Sequence, residues 1–228
     1  ITTPSRELAE QLYQVATQLV TYSPDEIRIS NFVGGTDKQR QINKLSQQQS
    51  HVVIGTPGRI LDLVNEQVLK IHTTKAFVVD EADMTLDMGF LHDVDQIAGR
   101  MPKHLQMLVF SATIPQKLQP FLKKYMENPE IINLEPKQIV AASISNYLLA
   151  TKSGNKMDVL DRALSIGQPY FTLIFANTKQ KVDEIAHELR GRNYEVAVLH
   201  GDIPARERKR IMRRVHNMDF QYMVATDL

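Results

Sequence analysis

The chain has 228 residues, a length that fits one large domain or two small ones, and its apolar content of 43% is ordinary for a protein with a hydrophobic core. The absence of cysteine excludes disulfides and thiolate metal sites, and it favours a reducing, cytoplasmic location. No apolar run is long enough to cross a membrane, and a net charge of +1 is too small to indicate nucleic-acid binding by the whole surface. A nucleic-acid site must therefore be a local patch.

Short β-branched runs alternate along the chain with amphipathic helical patterns. The predicted strands are 51–55, 76–80, 106–110, 131–134, 146–150, 171–176, 195–199 and 221–226. The predicted helices are 7–21, 59–65, 115–126, 156–165, 179–190 and 204–215. Several strands are apolar at consecutive positions, which is typical of strands covered on both faces of a parallel sheet. The alternation therefore predicts an α/β fold of mainly parallel sheets flanked by helices.

A polar stretch that contains Pro136 interrupts the pattern, and we place a domain boundary near 136–143. The first domain would then be 1–137 and the second 138–228. Both chain ends fall inside strand-like runs, so we expect each domain to be incomplete in this sequence. Ligands of such sheets bind beyond the carboxyl ends of the strands, and candidate functional residues should therefore follow strands directly.

Two adjacent carboxylates, Asp80 and Glu81, end the apolar strand at 76–80, and Asp83 follows them. In nucleoside-triphosphate hydrolases a strand-end Asp holds Mg²⁺ against the phosphates, and a neighbouring Glu can polarise the attacking water. The alternative is structural, with Asp80 or Asp83 capping a helix and Glu81 interacting with the helix dipole. The acidic residues alone leave both interpretations open.

Three other motifs also follow strand-like runs. Ser111 and Thr113 come directly after a strand and could simply cap a helix. Arg59 ends a Thr-Pro-Gly-Arg segment, which is a common turn, but its guanidinium could reach a phosphate. Gly34 and Gly35 would let the backbone approach a ligand closely, or they could form an ordinary turn.

Taken in order, these motifs resemble those of the DEAD-box helicases. The first-domain motifs are 4–9 (PSRELA), 34–35 (GG), 56–59 (TPGR), 80–83 (DEAD) and 111–113 (SAT). The second-domain motifs are 173–178 (LIFANT), 200–202 (HGD) with Arg208, and 225–227 (ATD). Each motif alone is weak, but the ordered set spans almost the whole chain. The wording of these motifs also resembles that of bacterial DEAD-box enzymes of the cold-shock or ribosome-assembly type.

The resemblance implies two RecA-like domains joined by a short linker, with ATP and RNA bound between them. It implies that Asp80 holds Mg²⁺ through water and that Glu81 activates the hydrolytic water. Asp83, Ser111 and Thr113 would couple the nucleotide to RNA binding. The RNA path would be lined by Pro4, Ser5, Arg6, Gly34, Gly35, Thr56, Pro57, Gly58, Arg59, Asn177, Gly201 and Thr226, with Asp227 near the ATP ribose.

The sequence departs from the family at both ends. The family's glycine-rich ATP-binding loop and its adenine-recognising glutamine would precede Ile1, and its arginine-rich motif would follow Leu228. No G-x-x-x-x-G-K-[ST] pattern occurs in the chain. We therefore expect the chain as written to hydrolyse ATP negligibly, as an incomplete part of a helicase that locally unwinds short RNA duplexes or remodels RNA–protein complexes.

Other functions remain open at this point. A non-hydrolysing RNA-binding or scaffold remnant could use the same turns, and a DNA helicase of a related superfamily would carry similar motifs. A hydrolase built on a metal alone is disfavoured because the seven histidines show no ligand spacing. The basic residues around 208–214 are interpreted as a solvated helix face. Neither the RNA nor any protein partner is identified by the sequence.

Overall fold

The structure, a computed structural model, describes residues 1–134, 143–151 and 154–226. The chain forms two compact units, Ile1–Ile132 and Asn133–Leu228. The boundary predicted near 136–143 lies almost entirely outside the described residues, so the domain limits of 1–137 and 138–228 stay a prediction. Within the described part of the chain, no helix is both long and apolar enough to cross a bilayer.

The first unit alternates helices and strands around one sheet. Its elements are α1 (Arg6–Val20), β1 (Ile29–Phe32), α2 (Lys38–Gln47), β2 (Val52–Gly55), α3 (Pro57–Asn65), β3 (Ala76–Val79), α4 (Ala82–Asp87), α5 (Leu91–Ala98), β4 (Gln106–Val109) and α6 (Gln119–Tyr125). β1 pairs with β2 and β3 pairs with β4, in both cases in parallel. Thr2 forms parallel bridges to both Gly55 and Val79, so it joins the two pairs into one sheet.

Local sequence explains where several of these helices begin. The Ser5 side chain caps α1 by accepting a hydrogen bond from the Leu8 amide, and Asp37 caps α2 in the same way. Pro57 opens α3, where its missing N–H costs nothing. The apolar faces then meet in a core whose fully buried side chains include Phe32, Leu63, Phe77, Val94, Ile97 and Leu118.

The second unit repeats the same architecture on a smaller scale. Its elements are α7 (Lys156–Gly167), β5 (Thr172–Phe175), α8 (Lys179–Gly191), β6 (Val196–Leu199), α9 (Ala205–His216) and β7 (Tyr222–Ala225). The strands lie in the order β5-β7-β6 and are all parallel. Central β7 is buried along its whole length, as its consecutive apolar residues require. The predicted fold class of mainly parallel sheets flanked by helices is therefore confirmed.

Two of the predicted strands are wrong. Residues 131–134 and 146–150 are described but form no strand, and Ile131, Ile132 and Leu134 are at least 73% exposed. An apolar run becomes a strand only when another strand supplies hydrogen bonds and a face to bury, and these segments have neither among the described residues. Three helices were not predicted: α2, α4 and α5. They are short or carry few apolar residues.

Candidate functional site

The acidic segment 80–83 lies where β3 ends, and neighbouring strands fix its backbone. The Asp80 amide donates to the Thr2 carbonyl at 2.9 Å, and the Ala82 amide donates to the Phe110 carbonyl at 3.0 Å. Between these two anchors Glu81 adopts a left-handed conformation with φ 50° and ψ 54°. Such a conformation carries strain for a residue with a side chain, and strained residues are concentrated at functional sites.

The carboxylates of Asp80 and Glu81 are half-buried. Among the residues that the structure describes, neither carboxylate has a hydrogen-bond or ion-pair partner. Burial raises the pKa of Glu81 above its ordinary value, and the negative charges of Asp80 and Asp83 raise it further. Both groups are thus free to bind a ligand, and Glu81 is a stronger base than an ordinary glutamate.

Asp83, by contrast, is held by the residues that follow β4. One of its oxygens accepts hydrogen bonds from the Thr113 amide at 2.9 Å and the Thr113 hydroxyl at 2.8 Å. The Ser111 hydroxyl accepts from the Asp83 amide at 3.0 Å and donates to the Thr113 carbonyl at 2.5 Å. The structure therefore brings together Asp83, Ser111 and Thr113, which come from the ends of two adjacent strands.

These bonds determine the charge state of Asp83. Its burial opposes ionisation, but the hydrogen bonds that its carboxylate accepts from Thr113 and from the Met84 amide outweigh burial and hold the pKa of Asp83 below its ordinary value. Asp83 is therefore held as an anion, whereas the surroundings of Glu81, two residues earlier, raise its pKa.

The helix-cap interpretation of these residues is wrong in its details. The N-cap of α4 is Glu81, not Asp80 or Asp83, and its side chain makes no capping hydrogen bond. Ser111 does cap a helix, but it caps α4 from the neighbouring strand rather than a helix of its own. The first helical turn after Ser111 begins only at Gln116.

Arg6 and the paired glycines meet at the same carboxyl edge of the sheet. The Arg6 guanidinium lies across the turn formed by Gly34 and Gly35: a Cβ placed on Gly35 would sit 2.3 Å from Arg6 Nη1. Gly35 also has a φ of +74°, which a residue with a side chain adopts only with strain. The glycines thus form a turn, and their lack of side chains lets the Arg6 guanidinium lie close to the backbone. Pro4 is buried and Ser5 half-buried at the start of α1, beside this turn.

Arg59 is anchored by two residues that sequence reasoning missed. Its Nη1 donates to Gln41 Oε1 at 2.7 Å, and the guanidinium contacts the Thr36 carbonyl at 3.3 Å. Thr56 and Pro57 are buried beneath it, and Gly58 is half-buried. No local signal marks Gln41, because α2 carries it to Arg59 from 18 positions away. The anchoring holds the Arg59 side chain beside the Gly34–Gly35 turn region.

Three predicted residues lie at the carboxyl edge of the second sheet. Asn177 is exposed just after β5, and Gly201 is exposed in the turn after β6. Thr226 follows β7 and is buried, with its amide donating to the Leu199 carbonyl at 3.2 Å. The topology places all three at one edge because their strands are parallel neighbours. Asp227 lies outside the described residues.

Two side-chain contacts that were not predicted support this second edge. Lys179 Nζ donates to Asp202 at 2.5 Å, beside Gly201. His200 is buried and contacts Asp183 at 3.3 Å, while its other ring nitrogen accepts from the Asp202 amide at 3.4 Å. His200 therefore acts as a bridge between α8 and the turn rather than as a metal ligand.

At the first edge, protein side chains could supply only part of the coordination shell of a divalent cation. Among the described residues, no group of three or more His, Cys, Asp or Glu side chains could hold a metal ion. Mg²⁺, however, commonly uses one or two carboxylates and completes its shell with waters and substrate phosphates. Asp80 is suited to that role because its carboxylate is accessible and has no partner among the described side chains.

A parallel α/β sheet with an Asp–Glu pair directly after one strand is an arrangement typical of nucleoside-triphosphate hydrolases. The family model "DEAD/DEAH box helicase" matches residues 1–121, and the model "Helicase conserved C-terminal domain" matches 155–228. The chain belongs to the DEAD/DEAH box helicase family.

Relatives and solved structures agree with this assignment. The DEAD-box ATP-dependent RNA helicase CshB of Listeria monocytogenes is 55% identical over all 228 residues, and that of Bacillus subtilis is 51% identical. The chain spans about half the length of these curated relatives, 52% in each case. S. cerevisiae Dbp5 bound to RNA and ADP BeF3 matches with a TM-score of 0.85 and 27% identity, covering 99% of this chain and 56% of that one.

Proposed function

We propose that the protein to which this chain belongs is an ATP-dependent RNA helicase with an RNA-stimulated ATPase. It would locally unwind short RNA duplexes or remodel RNA–protein complexes in the cytoplasm. One observation carries the proposal: Asp80 and Glu81, two carboxylates without a partner among the described residues, lie directly beside Asp83, which is hydrogen-bonded to the residues after the next strand. The names of the relatives support it, since they describe ATP-dependent RNA helicases.

In this function Asp80 would hold Mg²⁺ through water, and the ion would neutralise charge on the phosphates of ATP. Glu81 Oε would take the proton of the attacking water. Its raised pKa suits that task, because a base works best when its pKa approaches the working pH. Activity should therefore fall on the acid side at a pH above the ordinary glutamate value of 4.5.

Asp83, Ser111 and Thr113 would transmit the state of the nucleotide site to RNA. They join the ends of β3 and β4, so a shift at Glu81 reaches the loop after β4 through hydrogen bonds. RNA would lie along the turns at the carboxyl edges, contacting Arg6, Arg59 and backbone amides. Such contacts read the sugar–phosphate backbone and carry little sequence preference. Asp227 would lie near the ATP ribose.

The test is steady-state ATPase of the whole protein with and without single-stranded RNA. Wild type is compared with Glu81→Gln, which removes the base but keeps the side chain's shape. Glu127→Gln is the matched control, since Glu127 is exposed and far along the chain from the acidic segment. We expect RNA-stimulated turnover in wild type and the control, and a loss of about 100-fold or more in Glu81→Gln.

Equal turnover in all three proteins would remove Glu81 from the mechanism. RNA binding without turnover in wild type would favour the alternative function, a non-hydrolysing RNA-binding or scaffold protein. Stimulation by DNA but not by RNA would instead indicate a DNA helicase.

A further inference from the structure

Helix α9 concentrates positive charge to a degree that the rest of the chain does not. Its 12 residues, ARERKRIMRRVH, include six Lys or Arg and one acidic residue, so the helix carries a charge of +5. The whole chain carries only +1. The remainder of the protein is therefore net acidic, and α9 is the local basic patch that the composition required of any nucleic-acid site.

The basic residues of α9 are sorted between two faces. Ile211 and Val215 pack against the sheet, beside Leu199 and Met223. Arg214 is also held inward, since its guanidinium lies 4.7 Å from the centre of the Phe220 ring and near Asp219 and Glu195. Arg214 is therefore used for packing.

The outward face carries four exposed cations: Arg206, Lys209, Arg210 and Arg213. At 100° per residue these four fall within one stripe about 100° wide, and they extend over about 10 Å of helix. Arg210 also pairs with Glu207 of the same helix, at 2.5 Å. An exposed ion pair of this kind contributes little to stability.

The stripe also begins close to the carboxyl edge of the second sheet. α9 starts just after the turn of Gly201 and Asp202, at the carboxyl edge that carries Asn177 and Thr226. Arg206, in its first turn, is thus the basic residue of α9 nearest that edge. From there the stripe runs along the outside of the second unit.

We propose that this outward face of α9 binds the phosphate backbone of RNA that extends beyond the strand held at the carboxyl edges. The inference rests on the proposed function and adds a second RNA-binding surface to it. Four cations over about 10 Å can contact the phosphates of a short stretch of one strand. An acidic protein segment is the competing partner, and the experiment favours it if the stripe variant and the control lose long-RNA affinity equally.

The experiment measures RNA affinity of the whole protein by fluorescence anisotropy. The variant R206Q/K209Q/R213Q neutralises the stripe while keeping good helix formers. The control K103Q/K117Q/K123Q removes the same charge from exposed lysines of the first unit. Each protein is tested with an oligonucleotide of about 8 nucleotides, which fills one site, and with one of about 25 nucleotides, which extends past it.

For the long RNA we expect the stripe variant to bind about tenfold more weakly than the control, with a salt slope lower by about 2. For the short RNA, the affinities of the two variants should agree within about twofold, and their ATPase rates at saturating RNA should be equal. Wild-type RNA binding with equal long-RNA losses in both variants would overturn the inference while leaving the helicase function standing. A wild type that binds no RNA would instead overturn the proposed function, and the inference with it.

Discussion

The carboxyl edges of the two units are built differently, although both end parallel strands of the same fold. In the first unit, side chains that follow the strands are held by hydrogen bonds: Asp83 bonds to Thr113, and Arg59 bonds to Gln41 of α2. In the second unit Asn177 is exposed, and the turn at Gly201 is flanked by an exposed pair, Lys179 and Asp202. The first edge is therefore preorganised, and the second is shaped mainly by backbone turns.

The glycines show the same difference at the level of single atoms. A Cβ on Gly55 would lie 2.1 Å from the Phe32 carbonyl oxygen, and one on Gly35 would lie 2.3 Å from Arg6 Nη1. A Cβ on Gly201 would meet only the end of the Lys179 side chain, at 3.4 Å. Substitutions at the first edge should therefore be costly, and those at the second edge should be tolerated.

The largest effect is expected for Gly55→Ala. The new methyl group collides with backbone that is fixed by pairing of β1 and β2, so the strands must separate, at a cost of about 3 kcal/mol. Hydrogen exchange by mass spectrometry, read on the peptides that cover β2, measures this loss in the whole protein. Gly191→Ala at the end of α8 is the matched control, because a Cβ there meets nothing within 4 Å. If the β2 peptides exchange equally in both variants, the backbone around Gly55 is not as crowded as the structure indicates.

A smaller effect is expected for Gly35→Ala. The left-handed φ of +74° and the displaced Arg6 guanidinium together should cost about 1–2 kcal/mol and weaken RNA binding. The partner variant Gly201→Ala should change stability by less than about 0.5 kcal/mol, because only a flexible lysine must move. Urea denaturation and RNA anisotropy of both variants provide the comparison. If Gly201→Ala proves the more damaging of the two, the second edge is the more rigid one.

The contacts that distinguish the two edges mostly join segments that are distant in sequence. This distance limits what the sequence predicts. Apolar strands followed by polar residues correctly predicted that Asp80, Ser111 and Thr56 follow strands, because parallel strands must be apolar and must end at the surface. Whether Asp83 bonds Thr113, 30 residues later, depends on which strands are neighbours. That pairing follows from the whole sheet rather than from either motif.

The two wrong strands illustrate the same limit. Residues 131–134 are as β-branched and apolar as β3, yet they form no strand and are exposed. Local propensity shows that a segment can be a strand, and a partner decides whether it becomes one. Likewise, nothing around Gly35 in the sequence indicates that Arg6 will cross it.

The smallest effect we predict tests the bonds that make the first edge rigid. Thr113→Val keeps the side chain's shape but removes the hydroxyl that donates to Asp83 at 2.8 Å. The loss should be about 1 kcal/mol of unfolding free energy at neutral pH, since the bond is charge-assisted but exposed. Thr73→Val is the control, because Thr73 is exposed and makes no side-chain hydrogen bond within the described residues.

The pH dependence of this loss separates the charged bond from a general packing defect. The pKa of Asp83 is held below its ordinary value of 3.8 by the hydrogen bonds of the folded state, so the stability they contribute is fully present above that value. It disappears as the pH falls through the lowered pKa, where Asp83 becomes protonated in both wild type and variant. Urea denaturation at a series of pH values should therefore show the two proteins converging in acid. A difference that stays constant down to the lowest pH would mean that Thr113 stabilises the loop by packing, and the preorganisation of the first edge would then not depend on the charge of Asp83.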